Sequence, residues 1–166
     1  GASGDVDIGE TGYNFSLERK DLKMSGDAHF TATNRYNEHF SRSETVNASS
    51  SSFYAGKGWR KTFSPDFASS YTLEWRKDKF HTLHTKIVFK YNGSSTVGVT
   101  DGRTFKKDPF ENGMSPKDYL YFDVPDDPYA DTRVNGTLNG TSSGTSKYTA
   151  TTTTTYTRRF EKHRGD

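Results

Sequence analysis

Four of the chain's five histidines and a group of aspartates are the residues weighed as metal ligands. His81 and His84 stand three apart, a spacing that suits two metal ligands on a helix. Their segment alternates apolar and polar residues and reads as a strand, where residues three apart point to opposite faces. His29 and His39 lie far away in sequence. Asp118, Asp123, Asp126, Asp127 and Asp131 would suit calcium as hard oxygen ligands. They match no EF-hand spacing, and Pro125 and Pro128 stiffen the segment, so they read as solvated turn carboxylates. No metal or cofactor is therefore assigned. Gly140-Thr141-Ser142-Ser143-Gly144 matches the G-x-S-x-G string, but it falls in the turn expected at 139–145 and not between a strand and a helix, and neither a P-loop nor a G-x-G-x-x-G turn occurs. The chain is expected not to be an enzyme, and its catalytic set is empty.

Binding is the better-supported chemistry. Trp59 and Trp75, with Phe53 and Tyr54 near the first, are rings that stack on sugars or choline headgroups. The competing reading is core filling, because aliphatic residues are scarce. Five N-x-S/T sequons, at Asn14, Asn47, Asn92, Asn135 and Asn139, are candidate glycosylation sites. Arg164-Gly165-Asp166 matches an integrin-type tripeptide, but three-residue matches are common by chance.

These residues must be carried by strands. The chain of 166 residues holds 18 Ser and 22 Thr, and Thr is β-branched and suits pleated structure. Tyr13, Phe15 and Leu17 alternate with polar residues, as do Tyr71, Leu73 and Trp75, and then Leu83, Thr85, Ile87, Phe89 and Tyr91. The segment 27–55 has no Pro or Gly, and one unbroken strand of that length would far exceed the usual three to ten residues, so a break is expected near Asn37-Glu38 or Asn47. Turns are expected at Ser25-Gly26-Asp27, Gly56-Lys57-Gly58, Ser64-Pro65-Asp66, Lys77-Asp78-Lys79, Asn92-Gly93, Asp101-Gly102 and 139–145. Further strands are expected at 119–124, 132–138 and 148–156. The sum is eight or nine strands in an all-β fold, an antiparallel sandwich or barrel with long Ser/Thr-rich strands and little or no helix.

Hydrophobic residues make up 30% of the chain and 24 are aromatic, 12 Phe, 10 Tyr and two Trp. Rings must therefore supply most of the apolar burial. The length fits a single all-β domain over 1–166, with 1–10 and 158–166 as flexible tails. A net charge of +2 gives no case for nucleic acid. There is no Cys, and no apolar run approaches the ~20 residues of a membrane-spanning helix. The sequons and the polar β-rich composition point to a secreted, extracellular glycoprotein.

One family resemblance ranks the function classes. Ser64-Pro65-Asp66 through Tyr71-Thr72-Leu73-Glu74-Trp75, followed by Lys86-Ile87-Val88-Phe89-Lys90, resembles the strands after the insertion segment of aerolysin-type β-pore-forming proteins, the epsilon-toxin and mosquitocidal branch. Thr132 to Gly140 resembles that family's late glycine-punctuated strand. The resemblance runs over about 28–156 and is one of pattern. It implies a secreted, elongated β-protein that binds a cell surface or membrane and forms homo-oligomers. It puts the amphipathic insertion segment at 40–54, with Phe40, Val46, Ala48, Phe53 and Tyr54 as candidates. Ser49 to Ser52 lack the apolar alternation that a lipid-facing strand needs, and 41–52 reads as a mobile or edge segment. Two alternatives stand beside it. One is a lipocalin-like barrel binding a small hydrophobic ligand or glycan, and the other is a structural or coat protein.

Overall fold

The computed structural model describes residues 2–109 and 133–161. They form five strands: β1 (Ala2–Arg19), β2 (Leu22–Val46), β3 (Ser51–Arg76), β4 (His81–Phe105) and β5 (Arg133–Arg158). The strands make one antiparallel sheet in the order β1-β2-β3-β4-β5, and no helix occurs among the described residues. The all-β class and the long Ser/Thr-rich strands are as the sequence led us to expect.

Sandwich and barrel are both corrected. The described residues make a single sheet, and it is not closed, because β1 and β5 lie at its two edges. Five strands give a short circumference, and a barrel interior has to be filled by the side chains that point into it. The rings of this chain are too many for so small an interior.

The described residues hold five strands, where eight or nine were expected over the whole chain. Connections occur at 20–21, 47–50 and 77–80, so the breaks expected at Asn47 and Lys77 are present. The other expected turns lie inside strands. Residues 2–10, expected as a tail, belong to β1, and 41–52 is the tip of the β2–β3 hairpin. The expected strand at 119–124, the aspartates at 118–131 and the terminal Arg-Gly-Asp lie outside the described residues.

Neighbouring rings explain why the glycines do not break the strands. A side chain at Gly26 would collide with the rings of Phe15 and Tyr71 on the two flanking strands. Tyr54 lies across Gly56 and Gly102, and the His39 ring covers Gly58. Gly93 makes room for Pro65, whose Cγ comes within 3.0 Å of where a β-carbon would stand. A glycine inside a strand commonly marks such a close approach. The aromatic-for-glycine exchange gives back the packing that the missing side chains lose.

The chain divides into two compact units, Gly1–Asp7, Asn34–Phe63 and Ser95–Gly144 in the first, and Ile8–Thr33, Ser64–Ser94 and Thr145–Asp166 in the second. In the first unit, Asp101 and Arg103 form a buried ion pair at 3.0 Å, and Arg42 pairs with Asp108. Ala55 and Phe105 are fully buried there. In the second unit the buried apolar residue is Ala28, next to buried Ser69.

Candidate functional site

Register and alternation sort the second unit into two chemically different faces. Gly12 meets His29, Gly26 meets Tyr71, Pro65 meets Gly93, and Thr85 Oγ1 lies 3.3 Å from Thr154 Oγ1. These contacts agree with the register set by the hairpins, so no bulge shifts the alternation. One face carries Tyr13, Phe15 and Leu17 of β1, Phe30 of β2, and Phe67, Tyr71 and Trp75 of β3. Ile87, Phe89 and Tyr91 of β4 and Tyr148 and Tyr156 of β5 complete it. The other face carries mainly Ser, Thr, Lys, His and Asn, with Ile8 and Val88 as apolar exceptions.

The rings on the apolar face touch across strands. Phe15 and Tyr71 have centroids 6.2 Å apart, Phe67 and Phe89 5.9 Å, and Tyr91 and Tyr148 4.9 Å. Such cross-strand pairs contribute about 0.2–1 kcal/mol each. The hydroxyls of Tyr13 and Tyr71 hydrogen-bond at 2.6 Å. That bond, aided by desolvation and the neighbouring phenol, raises the Tyr13 pKa. The face remains open to solvent: Tyr13 is 56% exposed, Trp75 44%, Tyr148 67% and Tyr156 61%.

The β3–β4 hairpin adds a shaped feature to this face. Trp75, Lys77, His81, Leu83 and Tyr156 line a hollow of about 300 Å³. The His81 ring stacks on Tyr156 at 6.1 Å between centroids and 17° between planes. Asp78 holds His81 by accepting a hydrogen bond from its Nδ1 at 2.8 Å. The same end of the unit carries Arg19, Lys20, Arg76, Lys77 and Lys79 in or beside the two hairpins, with Arg76 paired to Glu74 at 2.6 Å and Lys79 to Glu161 at 3.1 Å. The Arg76 amide donates to the Asp21 carbonyl and the Arg159 amide to the Phe80 carbonyl, which joins both hairpins to the end of β5.

No protein-family model matches the chain, and no curated protein matches its sequence.

The binding candidates separate. Trp75 lies on the apolar face of the second unit. Trp59 lies in the first unit, half-buried, with Lys61 Nζ 5.8 Å from its ring centre and 5.7 Å from that of Tyr36. Near it, Asp5, Asp7, Tyr36, Lys61 and Phe63 line a hollow of about 410 Å³. Phe40 and Phe53 are half-buried, Phe40 facing Lys57 Nζ at 5.5 Å, and Tyr54 packs over glycines. Val46 is 71% exposed at the end of β2, and Ala48 is in the turn that follows. The insertion candidates thus form one hairpin tip.

Asn14 and Asn92 are exposed within strands of the second unit, at positions that alternate onto its polar face, and Asn135 and Asn139 are exposed within β5 in the first unit. The turn expected at Asn92-Gly93 is strand instead, and Asn92 donates to Asp66 on β3. Asn47 is exposed in the β2–β3 turn. His81 and His84 take opposite faces, as their spacing predicts. No group of three His, Cys, Asp or Glu residues positioned to hold a metal ion occurs among the described residues. Reading the sequence strand by strand missed the joint aromatic face, since it depends on pairing register. The matched alternation in 13–17, 71–75 and 83–91 was its only signal.

Proposed function

We propose that this chain is a secreted, non-enzymatic, aerolysin-like β-protein that binds a membrane or cell surface through the aromatic face of its second unit. The observation that carries the reading is the one-sided exposure of Tyr13, Phe15, Trp75, Tyr148 and Tyr156. Contiguous exposed apolar surface marks an interaction site. Tyr and Trp in particular settle at the boundary between headgroups and acyl chains. The cationic hairpins next to Trp75 suit anionic headgroups. The strand sequons of this unit, Asn14 and Asn92, lie on its polar face, so glycans there leave the rings free.

The 40–54 hairpin is assigned no lipid-spanning role. Arg42 and Glu44 share the face of Phe40 and Val46, and a charge on a lipid face at the bilayer midplane costs about 2–4 kcal/mol. The test is co-sedimentation with phosphatidylcholine–phosphatidylserine vesicles loaded with calcein. The chain is expected to pellet with the vesicles and leave the dye inside. A chain that stays in the supernatant sinks the reading, and dye release returns the hairpin to an insertion role.

A second reading rests on the first unit. The hollow lined by Asp5, Asp7, Tyr36, Lys61 and Phe63 has the rings and polar groups of a glycan or small-ligand site. It requires no barrel.

A further inference from the structure

The chain holds ten tyrosines and no cysteine, so no disulfide can tie its strands together. Four of the tyrosines meet in two pairs on the aromatic face of the second unit. Tyr91 of β4 and Tyr148 of β5 have ring centroids 4.9 Å apart with planes at 37°, near the short end of the range for rings in contact. Tyr13 of β1 and Tyr71 of β3 hold their hydroxyl oxygens 2.6 Å apart. In a phenol the ortho carbons flank the carbon that bears the oxygen, so this contact brings ortho carbons together as well. The second pair reaches across β2, where Gly26 leaves space beneath the Tyr71 ring.

One ring of each pair is open to solvent, Tyr148 at 67% and Tyr13 at 56%, and its partner is half-buried. Other tyrosines have other neighbours: Tyr156 stacks on His81, and Tyr54 lies across Gly56 and Gly102.

We propose that Tyr91–Tyr148 and Tyr13–Tyr71 are sites of oxidative cross-linking, where a haem peroxidase and hydrogen peroxide convert each pair to dityrosine within one chain. Each phenol gives up one electron and its hydroxyl proton, which leaves a radical with spin on the ortho carbons. An ortho carbon of one ring bonds to an ortho carbon of the other. The hydrogen on each of those carbons then leaves as a proton while the oxygen regains one, so both phenols are restored. The net change is one carbon–carbon bond formed and two hydrogen atoms lost. Those two electrons and two protons reduce one hydrogen peroxide to two waters. The exposed ring of each pair gives the oxidant access, and the ring beside it is the nearest partner. The links fix β5 to β4 and β1 to β3, and a cross-link constrains the unfolded chain. Cross-linking needs no membrane and goes beyond surface binding.

The test is treatment of the full chain with peroxidase and hydrogen peroxide in dilute solution without vesicles, then trypsin digestion and mass spectrometry. An equimolar mixture of isotope-labelled and unlabelled chain separates links within a chain from links between chains. From the Lys and Arg positions, trypsin releases the four tyrosines in the peptides 1–19, 62–76, 91–103 and 148–158. Wild type is expected to give 91–103 joined to 148–158 and 1–19 joined to 62–76, each product lighter than its parts by two hydrogen atoms and free of mixed label. Tyr148→Phe is expected to remove the first product and leave the second, and Tyr13→Phe to do the reverse, since Phe keeps the ring and forms no phenoxyl radical. Circular dichroism checks that both variants keep their strands. In urea the two products are expected to lose their excess over other tyrosine pairs. Linkage confined to other tyrosines, products carrying mainly mixed label, or the same product pattern in urea overturns the proposal, as does a chain that forms no dityrosine. Cross-linking without vesicle binding removes the surface reading alone, and vesicle binding by a chain that does not cross-link removes the tyrosine links alone.

Discussion

Asp78 organises the β3–β4 hairpin with one carboxylate. Its Oδ1 accepts from His81 Nδ1 at 2.8 Å and from the backbone amides of Phe80 and His81 at 2.8 and 2.9 Å. These bonds favour the charged form, so the pKa of Asp78 falls below the usual carboxylate range, the His81 bond acting most and the Phe80 amide next. A carboxylate with a depressed pKa contributes stability that is fully present above its unfolded value, about 3.9. That contribution is lost as pH falls through the lower folded value. An NMR titration is expected to find Asp78 ionising below its unfolded value, and Asp78→Asn is expected to remove this acid-dependent part of stability. A normal Asp78 midpoint would show that the hairpin hydrogen bonds do not hold in solution. On the proposed reading, Trp75 belongs to the surface contact instead. Trp75→Ala is expected to weaken vesicle binding about tenfold, a loss of about 1.4 kcal/mol, and tryptophan fluorescence in a titration with vesicles reads it.

Among the elements, the glycine slots decide how long the strands are. Gly26 is covered by Phe15 and Tyr71, so Gly26→Val has to push both rings aside. Overpacking of this kind costs about 1–3 kcal/mol and is expected to lower the thermal midpoint; an unchanged midpoint contradicts the ring-over-glycine packing. The same slots account for what the sequence concealed. Alternation in 13–17, 71–75 and 83–91 was legible, and so were the turns at Asn47 and Lys77. Gly56-Lys57-Gly58, Ser64-Pro65-Asp66 and Asn92-Gly93 look like turns because turn chemistry is local. Whether a ring from the next strand fills the gap depends on register, which no single segment carries. The sequons met the same difficulty. Asn92 has the chemistry of a turn residue, yet it pairs with Asp66 in mid-sheet.

For the molecule as a whole, the lean composition leaves few apolar residues to bury. With so few aliphatic residues, the buried apolar residues among those described are Ala28, Ala55 and Phe105, alongside Pro109. Most rings of the second unit therefore meet solvent, and the Ser/Thr tracts keep the opposite face compatible with water. The sequence made the β class and the ring supply readable. It could not show that the sheet stays open, because closure depends on whether β1 meets β5. On the proposed reading, a membrane surface covers the aromatic face of the second unit. The most direct measurement is co-sedimentation of wild type and the variant Tyr13→Ser/Trp75→Ser/Tyr148→Ser with phosphatidylcholine–phosphatidylserine vesicles, with circular dichroism confirming that both keep their strands. Wild type is predicted to pellet with the vesicles and the variant to remain in the supernatant. Wild type left in the supernatant, or a variant that pellets equally well, would contradict binding through the aromatic face.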